Sequence, residues 1–203
     1  GHKCIGHSVC ADACPVGAIN MVMASPSMSA DLPFLTAEYE TSIKNLFIVG
    51  ELGGLALIRN AVNQGRDCVD IIARRLKAAR ARPLSGVFDV LIVGAGPAGI
   101  SASLRAIENK MNYVTLDRDE VGGTVAKYPR QKLVMTSPVE FPMYGKFKKL
   151  QLSKEQLLAF WDMVLNRADF NCRNDENVED ITKDADGAFT VTTAHHVYRA
   201  RFV

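Results

Sequence analysis

The chain has 203 residues, 48% of them hydrophobic, and a formal net charge of +2. That is enough apolar material for one well-packed domain plus a small module, and too even a charge to argue for nucleic acid or a membrane surface as partner. No apolar run approaches the roughly 20 residues of a membrane-spanning helix, so the chain reads as soluble.

The chain opens at Gly1 instead of a methionine and stops at Val203 inside an expected strand. Both ends predict a fragment of a longer protein, so the absence of a leader says little about the parent. Three segments are distinguishable, 1–30, 31–82 and 83–203.

Three of the five cysteines fall in the first segment, at Cys4, Cys10 and Cys14. Such clustering favours a metal or cluster site over a disulfide framework, and with it a reducing, cytoplasmic compartment. With His7 and Pro15 the run reads C-x2-H-x2-C-x3-C-P, and Val16-Gly17-Ala18-Ile19 follows. It resembles the bacterial ferredoxin run C-x2-C-x2-C-x3-C-P, whose thiolates hold a 4Fe-4S cluster because soft sulfur ligands suit iron. The departure is His7, which stands where the second cysteine belongs. A zinc site from Cys4, His7, Cys10 and Cys14 is the competing metal reading. Cys68 and Cys172 read as buried small apolar residues. His2, His195 and His196 carry no pattern and read as surface residues.

In the second segment a short apolar strand, Leu46–Gly50, precedes a helix on which Val62, Val69, Ile72, Ala73 and Leu76 recur at helical spacing. The helix runs out into a basic stretch, 74–82, closed by Pro83. Cations at a helix C-terminus suit its dipole, and the stretch reads as a helix end leading into a linker.

The third segment is the most legible. Val87–Val93 is too uniformly apolar for a half-exposed strand and suits a central parallel strand covered on both faces. A glycine-rich turn, a helix over Pro97–Asn109 and a second strand, Tyr113–Asp117, complete a β–α–β unit. Ser153 with Gln156 predicts a capping box, and Leu157, Leu158, Trp161, Val164 and Leu165 form the apolar stripe of the helix behind it. From Asn177 to Val203 three short strands alternate, with a hairpin turn at 184–187.

The turn Gly94-Ala95-Gly96-Pro97-Ala98-Gly99 matches G-x-G-x-x-G, directly after a strand and opening a helix. Gly94 permits the tight turn, Gly96 lets backbone approach a pyrophosphate, and Gly99 lets helix and strand pack closely. Pro97 is tolerated in the first helical turn, and Ala98 completes it. The helix N-terminus presents N–H groups and partial positive charge to phosphates. Asp117, ending the second strand, would accept hydrogen bonds from ribose hydroxyls and disfavour a 2′-phosphate.

Residues 89–99, Asp117 and Val121-Gly122-Gly123-Thr124 resemble the thioredoxin reductase-like branch of FAD-dependent pyridine nucleotide oxidoreductases. The resemblance covers about residues 88–203. It implies a doubly wound, FAD-binding Rossmann-like α/β fold with a β-meander, preceded here by the ferredoxin-like remnant. It also implies that Gly122, Gly123 and Thr124 lie against the cofactor, that Val178 lies near the adenine, and that NAD(P)H serves the parent protein. No Cys-x-x-Cys occurs anywhere in the sequence, so disulfide reduction is unsupported.

Asn45–Glu51 resembles a second FAD signature of the same family, a strand ending in Gly-Asp before a helix facing the flavin. Here Gly50 is followed by Glu51, with the charge kept and the reach lengthened. The motif precedes the Gly94 turn instead of following it. Two arrangements are open. Residues 31–82 are the tail of an upstream flavin module, slightly the preferred reading, or the order is permuted and they complete the same fold. Ferredoxin-like sequence joined to thioredoxin reductase-like sequence implies an oxidoreductase passing electrons between NAD(P)H, FAD and an iron–sulfur centre, with a redox protein or domain as partner. A homodimer is compatible with the resemblance. The alternatives are a sensing module that binds FAD or NAD without turnover, and an NAD-dependent dehydrogenase. No residue stands out as general acid, base or nucleophile.

Overall fold

The computed structural model describes residues 33–53, 57–80, 82–135, 138–147 and 151–203. The cysteine run with His7, and the ferredoxin-like segment as a whole, lie outside the described residues. Helix α1 (Ile58–Ala78) comes first among the long elements, with Val62, Cys68, Val69, Ile71 and Ile72 on its buried face. Each such aliphatic side chain contributes about 1.5–3 kcal/mol when taken fully out of water. Arg75 anchors the far end of the helix, with Nη1 donating to Glu40 Oε1 at 2.5 Å and Nη2 to Glu38 Oε2 at 2.7 Å. The Arg75 hydrogen bond holds the Glu40 carboxyl below the usual carboxylate range against the opposing effect of burial.

Strand β1 (Phe88–Val93), helix α2 (Pro97–Glu108) and strand β2 (Tyr113–Leu116) follow. The expected β–α–β unit is present, with β1 and β2 parallel from the Val90–Tyr113 pair to the Val93–Leu116 pair. Parallel neighbours need a crossover, and α2 supplies it. Next come β3 (Leu133–Met135), β4 (Val139–Phe141), β5 (Gly145–Phe147) and β6 (Leu152–Ser153), which pair β3 with β6 and β4 with β5.

Helix α3 (Lys154–Leu165) starts with the expected capping box. The Gln156 N–H donates to Ser153 Oγ at 3.3 Å, and the Ser153 N–H to Gln156 Oε1 at 3.1 Å. Its buried face is Leu157, Phe160, Trp161 and Val164. Leu158 and Leu165, expected in the stripe, are only partly buried, and Phe160 takes their place against Phe141, Tyr144 and Phe147.

The chain closes with β7 (Cys172–Arg173), β8 (Val178–Lys183), β9 (Phe189–Thr193) and β10 (Val197–Phe202). The main sheet has the order β7-β2-β1-β10-β9-β8. Its first four strands are parallel, and β10-β9-β8 is an antiparallel meander with the expected turn at 184–187. This is the doubly wound α/β fold with a β-meander.

Alternate residues of β1 serve opposite faces. Val90 and Ile92 pack with Val69, Ile72 and Ala102 of the helices, whereas Leu91 packs with Val114, Leu116, Phe189 and Val191. Burial on both sides is what the unbroken apolar run requires.

Leu46–Gly50, expected as a strand, is not one. Asn45 (φ +72°) and Gly50 (φ +89°) bracket it with left-handed backbone, leaving Phe47 as a single bridge to Glu40. The segment nonetheless runs beside the end of β10. The Phe47 N–H donates to Val203 O at 2.8 Å, and the Val203 N–H to Asn45 O at 3.2 Å. Cys68 is buried as expected, and burial pushes its thiol up to about 12. Cys172 departs from expectation: β7 is two residues long at the sheet edge, so this side chain is only half-buried, its thiol pushed by burial to about 11.

Candidate cofactor site

The parallel strands β1 and β2 end at the same level, and the turns that follow them enclose an open crevice of about 410 Å³. Ligands of doubly wound sheets bind at this carboxyl edge. The Gly94 N–H donates to Leu116 O at 2.7 Å, which fixes where the glycine turn leaves the sheet. Gly94 then takes φ +96°, a conformation that L side chains rarely adopt.

The three glycines of the turn have different surroundings. A Cβ built on Gly99 would lie 1.8 Å from Gly94 O, so this glycine is demanded by helix–turn packing. A Cβ on Gly96 would meet no protein atom within 4 Å. Gly96 is the N-cap of α2 and faces the crevice, so the protein leaves space there that a side chain would fill. The first-turn N–H groups of α2 have no intrahelical acceptor. A bare backbone, open space and a helix N-terminus together fit a pyrophosphate. Pro97 and Ala98 line the same wall.

Asp117 is 8% exposed at the end of β2. Its Oδ2 accepts the Ala95 N–H at 2.5 Å and its Oδ1 the Asp119 N–H at 2.8 Å. The carboxylate therefore clamps the glycine turn to its own loop, with lone pairs left on both oxygens for a ligand. Gly122, at φ +111°, donates its N–H to Ala95 O at 2.9 Å and opens the 3-10 helix Gly123–Lys127. Gly123 lies under Gly96, where a Cβ would come within 3.1 Å of the Gly96 Cα. Gly123 and the exposed Thr124 line the crevice, and Val178 closes it on the meander side.

Gly50 and Glu51 line this same crevice. Gln64 of α1 accepts the Gly50 N–H at 2.8 Å, and a Cβ on Gly50 would stand 3.3 Å from that of Ala98. The two glycine motifs are thus side by side although the chain separates them. The contact that brings them together is a helix crossing: a Cβ on Gly65 of α1 would lie 2.1 Å from Ala98 O, and Ser101 Oγ donates to Val62 O at 2.7 Å.

Apart from Gly122, whose backbone is bound to the glycine turn, every flavin-site residue expected from the sequence lines the crevice. Missed were Gln64, the Lys127–Asp119 ion pair at 2.7 Å, and Glu176. Glu176 is 5% exposed and had no local signature, being one of two adjacent acidic residues, with Asp175, in a polar turn. Among the described residues no group of three or more His, Cys, Asp or Glu side chains is placed to hold a metal, and no helix is long and apolar enough to cross a membrane.

A ferredoxin–NADP reductase of Oceanobacillus iheyensis is 33% identical over 109 residues, covering 53% of this chain and 28% of that protein. A ferredoxin–NADP reductase of Limosilactobacillus reuteri is 29% identical over 119 residues, covering 58% of this chain and 33% of that protein. The chain therefore spans about a third of the length of the curated relatives it matches. In fold it is similar to bacillithiol disulfide reductase from Bacillus cereus, with a TM-score of 0.50 at 21% identity, over 56% of this chain and 37% of that one. The family model described as pyridine nucleotide-disulphide oxidoreductase matches residues 91–203, more than half of the chain, and the chain belongs to that family.

Proposed function

We propose that this chain carries the FAD site of an oxidoreductase that moves electrons between NAD(P)H, FAD and an iron–sulfur centre. The observation that carries the reading is the single crevice lined by both flavin-type motifs, the Gly94–Gly99 turn and Gly50–Glu51, with open space over Gly96. On this reading residues 33–80 and 82–203 complete one FAD fold in permuted order, supported by the Phe47–Val203 hydrogen bond and the seating of Gly65 on Ala98.

Each residue then has a defined task. The first turn of α2 binds the pyrophosphate through N–H groups and dipole, with Gly96 leaving room for it. Asp117 accepts from the adenosine ribose while holding the turn in shape. Gly123 and Thr124 form the floor, Gly122 ties that floor to the glycine turn through Ala95 O, and the Val178 backbone faces the adenine. Gly50 and Glu51 meet the flavin end. When bound, the flavin supplies the chemistry of accepting two electrons as hydride and releasing them singly. The protein's part is to orient, desolvate and tune.

Cys4, His7, Cys10 and Cys14 are proposed as the ligands of a 4Fe-4S cluster, on the ferredoxin-like spacing and the thiolate-rich donor set. A redox protein or a fused domain would be the partner. Relatives that match include proteins named ferredoxin–NADP reductase, and no Cys-x-x-Cys is present, so disulfide reduction is not part of the proposal.

Anaerobic absorption spectra of the chain after incubation with FAD and iron–sulfur reconstitution, beside a His7→Cys variant, test both halves. The expected result is a flavin double band plus a broad iron–sulfur shoulder that strengthens in the variant. A flavin band with no shoulder in either protein would remove the cluster and leave the FAD site. Colourless protein that releases NAD on denaturation would instead support the dehydrogenase reading.

A further inference from the structure

We propose that Glu176 is a positioning residue for the adenosine half of the cofactor, holding the turn between β7 and β8 against the end of β2; the proposal rests on the reading that FAD occupies this crevice. Turns between strands ordinarily carry exposed polar groups that water satisfies. Glu176 is different, with its carboxylate buried and both oxygens occupied by side chains. Thr193 Oγ1 donates to Oε2. Tyr198 Oη donates to Oε1 at 2.9 Å, and His196 Nδ1 lies 2.5 Å from the same oxygen. A carboxylate only accepts, so His196 Nδ1 carries the proton in this contact.

The donors come from the two strands and the turn of the meander hairpin. Thr193 ends β9, Tyr198 lies in β10, and His196 lies between them. Thr193 Oγ1 also accepts the backbone N–H groups of His195 and His196 at 3.3 and 2.9 Å. Behind Tyr198 stands the Arg173 guanidinium of β7, 5.4 Å from the ring centroid. Burial pushes the Glu176 carboxyl up, but the hydrogen bonds from Thr193, Tyr198 and His196 outweigh it and hold it below its ordinary range.

The opposite side of the residue faces the ribose-binding strand. The Glu176 N–H donates to Asp117 O at 3.0 Å, and the Asp117 N–H donates to Arg173 O at 2.9 Å. Glu176 therefore joins the meander hairpin to the residue that clamps the glycine turn. Its neighbours Asn177 and Val178 line the crevice. Removing the carboxylate leaves Tyr198 Oη and His196 Nδ1 without their acceptor, turns the Thr193 hydroxyl over to His196 O at 3.2 Å, and frees the turn on which these two residues ride.

The chain's single tryptophan, Trp161, is buried in the same core cluster as Val125 of the crevice wall, so its quenching reports FAD binding. ADP, which has the adenosine diphosphate half without the flavin, competes for the same subsite. In Glu176→Ala we expect FAD and ADP affinities to fall by a common factor of about tenfold or more. Glu176→Gln should fall between the two, because its amide turns a donor toward a Thr193 hydroxyl that already accepts two N–H groups. A merely structural role would lower the melting temperature of the apo chain and leave both affinities within about twofold of wild type, which overturns the proposal. Should Glu176→Ala fail to fold, Tyr198→Phe removes one donor and keeps the carboxylate; a parallel loss of about fivefold for FAD and ADP is then expected, and unchanged affinities overturn the proposal. If the wild-type chain binds neither FAD nor ADP, the reading of the crevice fails first, and this inference with it.

Discussion

Replacing Gly99 with alanine should abolish useful FAD binding and destabilise the apo chain. The new Cβ would stand 1.8 Å from Gly94 O and 3.0 Å from Gly94 C, and both are backbone atoms that no rotamer change can move. Either α2 tilts away from β1 or the turn opens, and in both cases the pyrophosphate cradle is lost. Overpacking of this severity costs about 3 kcal/mol or more, at or above the upper end of what inserted methyl groups usually cost. If the cradle shares that strain, FAD weakens by about a hundredfold or more. Gly96→Ala is the informative companion. Its Cβ meets no protein atom, and its backbone, φ −78°, suits alanine. Apo stability should therefore change by no more than about 1 kcal/mol, the scale of an N-cap substitution. FAD binding should nonetheless fall sharply, because the methyl group enters the space over the turn. Thermal denaturation with and without FAD separates the two outcomes. Full FAD affinity in Gly96→Ala would contradict the cradle.

Gly65→Ala is expected to have the largest effect of any change outside the glycine turn. Its Cβ would lie 2.1 Å from Ala98 O, 3.0 Å from Ala98 C and 3.1 Å from Ala102 N, all backbone of α2. Helix α1 would be pushed off α2, and Val62, Val69 and Ile72 would lose part of their burial. A loss of about 3 kcal/mol is expected, which for a chain of this size lowers the melting temperature by about 6–12 °C. Because α1 also carries Gln64, the acceptor of the Gly50 N–H, the flavin end of the crevice should loosen at the same time. Calorimetry of the apo chain reads the first effect and FAD affinity the second. A variant as stable as wild type would show that α1 does not seat on α2 in solution.

The β1–turn–α2–β2 unit was legible from the sequence because local patterns specify it. An unbroken apolar strand, glycines at fixed offsets and an acidic residue at the next strand end all lie within one short stretch. The capping box at Ser153 was legible for the same reason. What was not legible depends on partners far away in the chain. Nothing local in Leu46–Gly50 says that it runs beside Val203, and left-handed backbone at Asn45 and Gly50 shortens it below a strand. The proposal that residues 33–80 complete the same fold rests on Gly65 against Ala98, a contact between two helices whose apolar stripes look ordinary. Phe160 was missed because it packs on an aromatic hairpin, β4–β5, that has no alternating pattern long enough to register. Glu176 was missed because its meaning comes from Thr193, His196 and Tyr198, brought to it by the meander turn.

The most direct test of the account is a titration of the apo 203-residue chain with FAD, followed by Trp161 fluorescence and checked by competition with ADP. One FAD bound per chain, displaced by ADP and recovered intact on denaturation, is the result expected if both flavin motifs build one site. No quenching by FAD, or binding of NAD in its place, would contradict it.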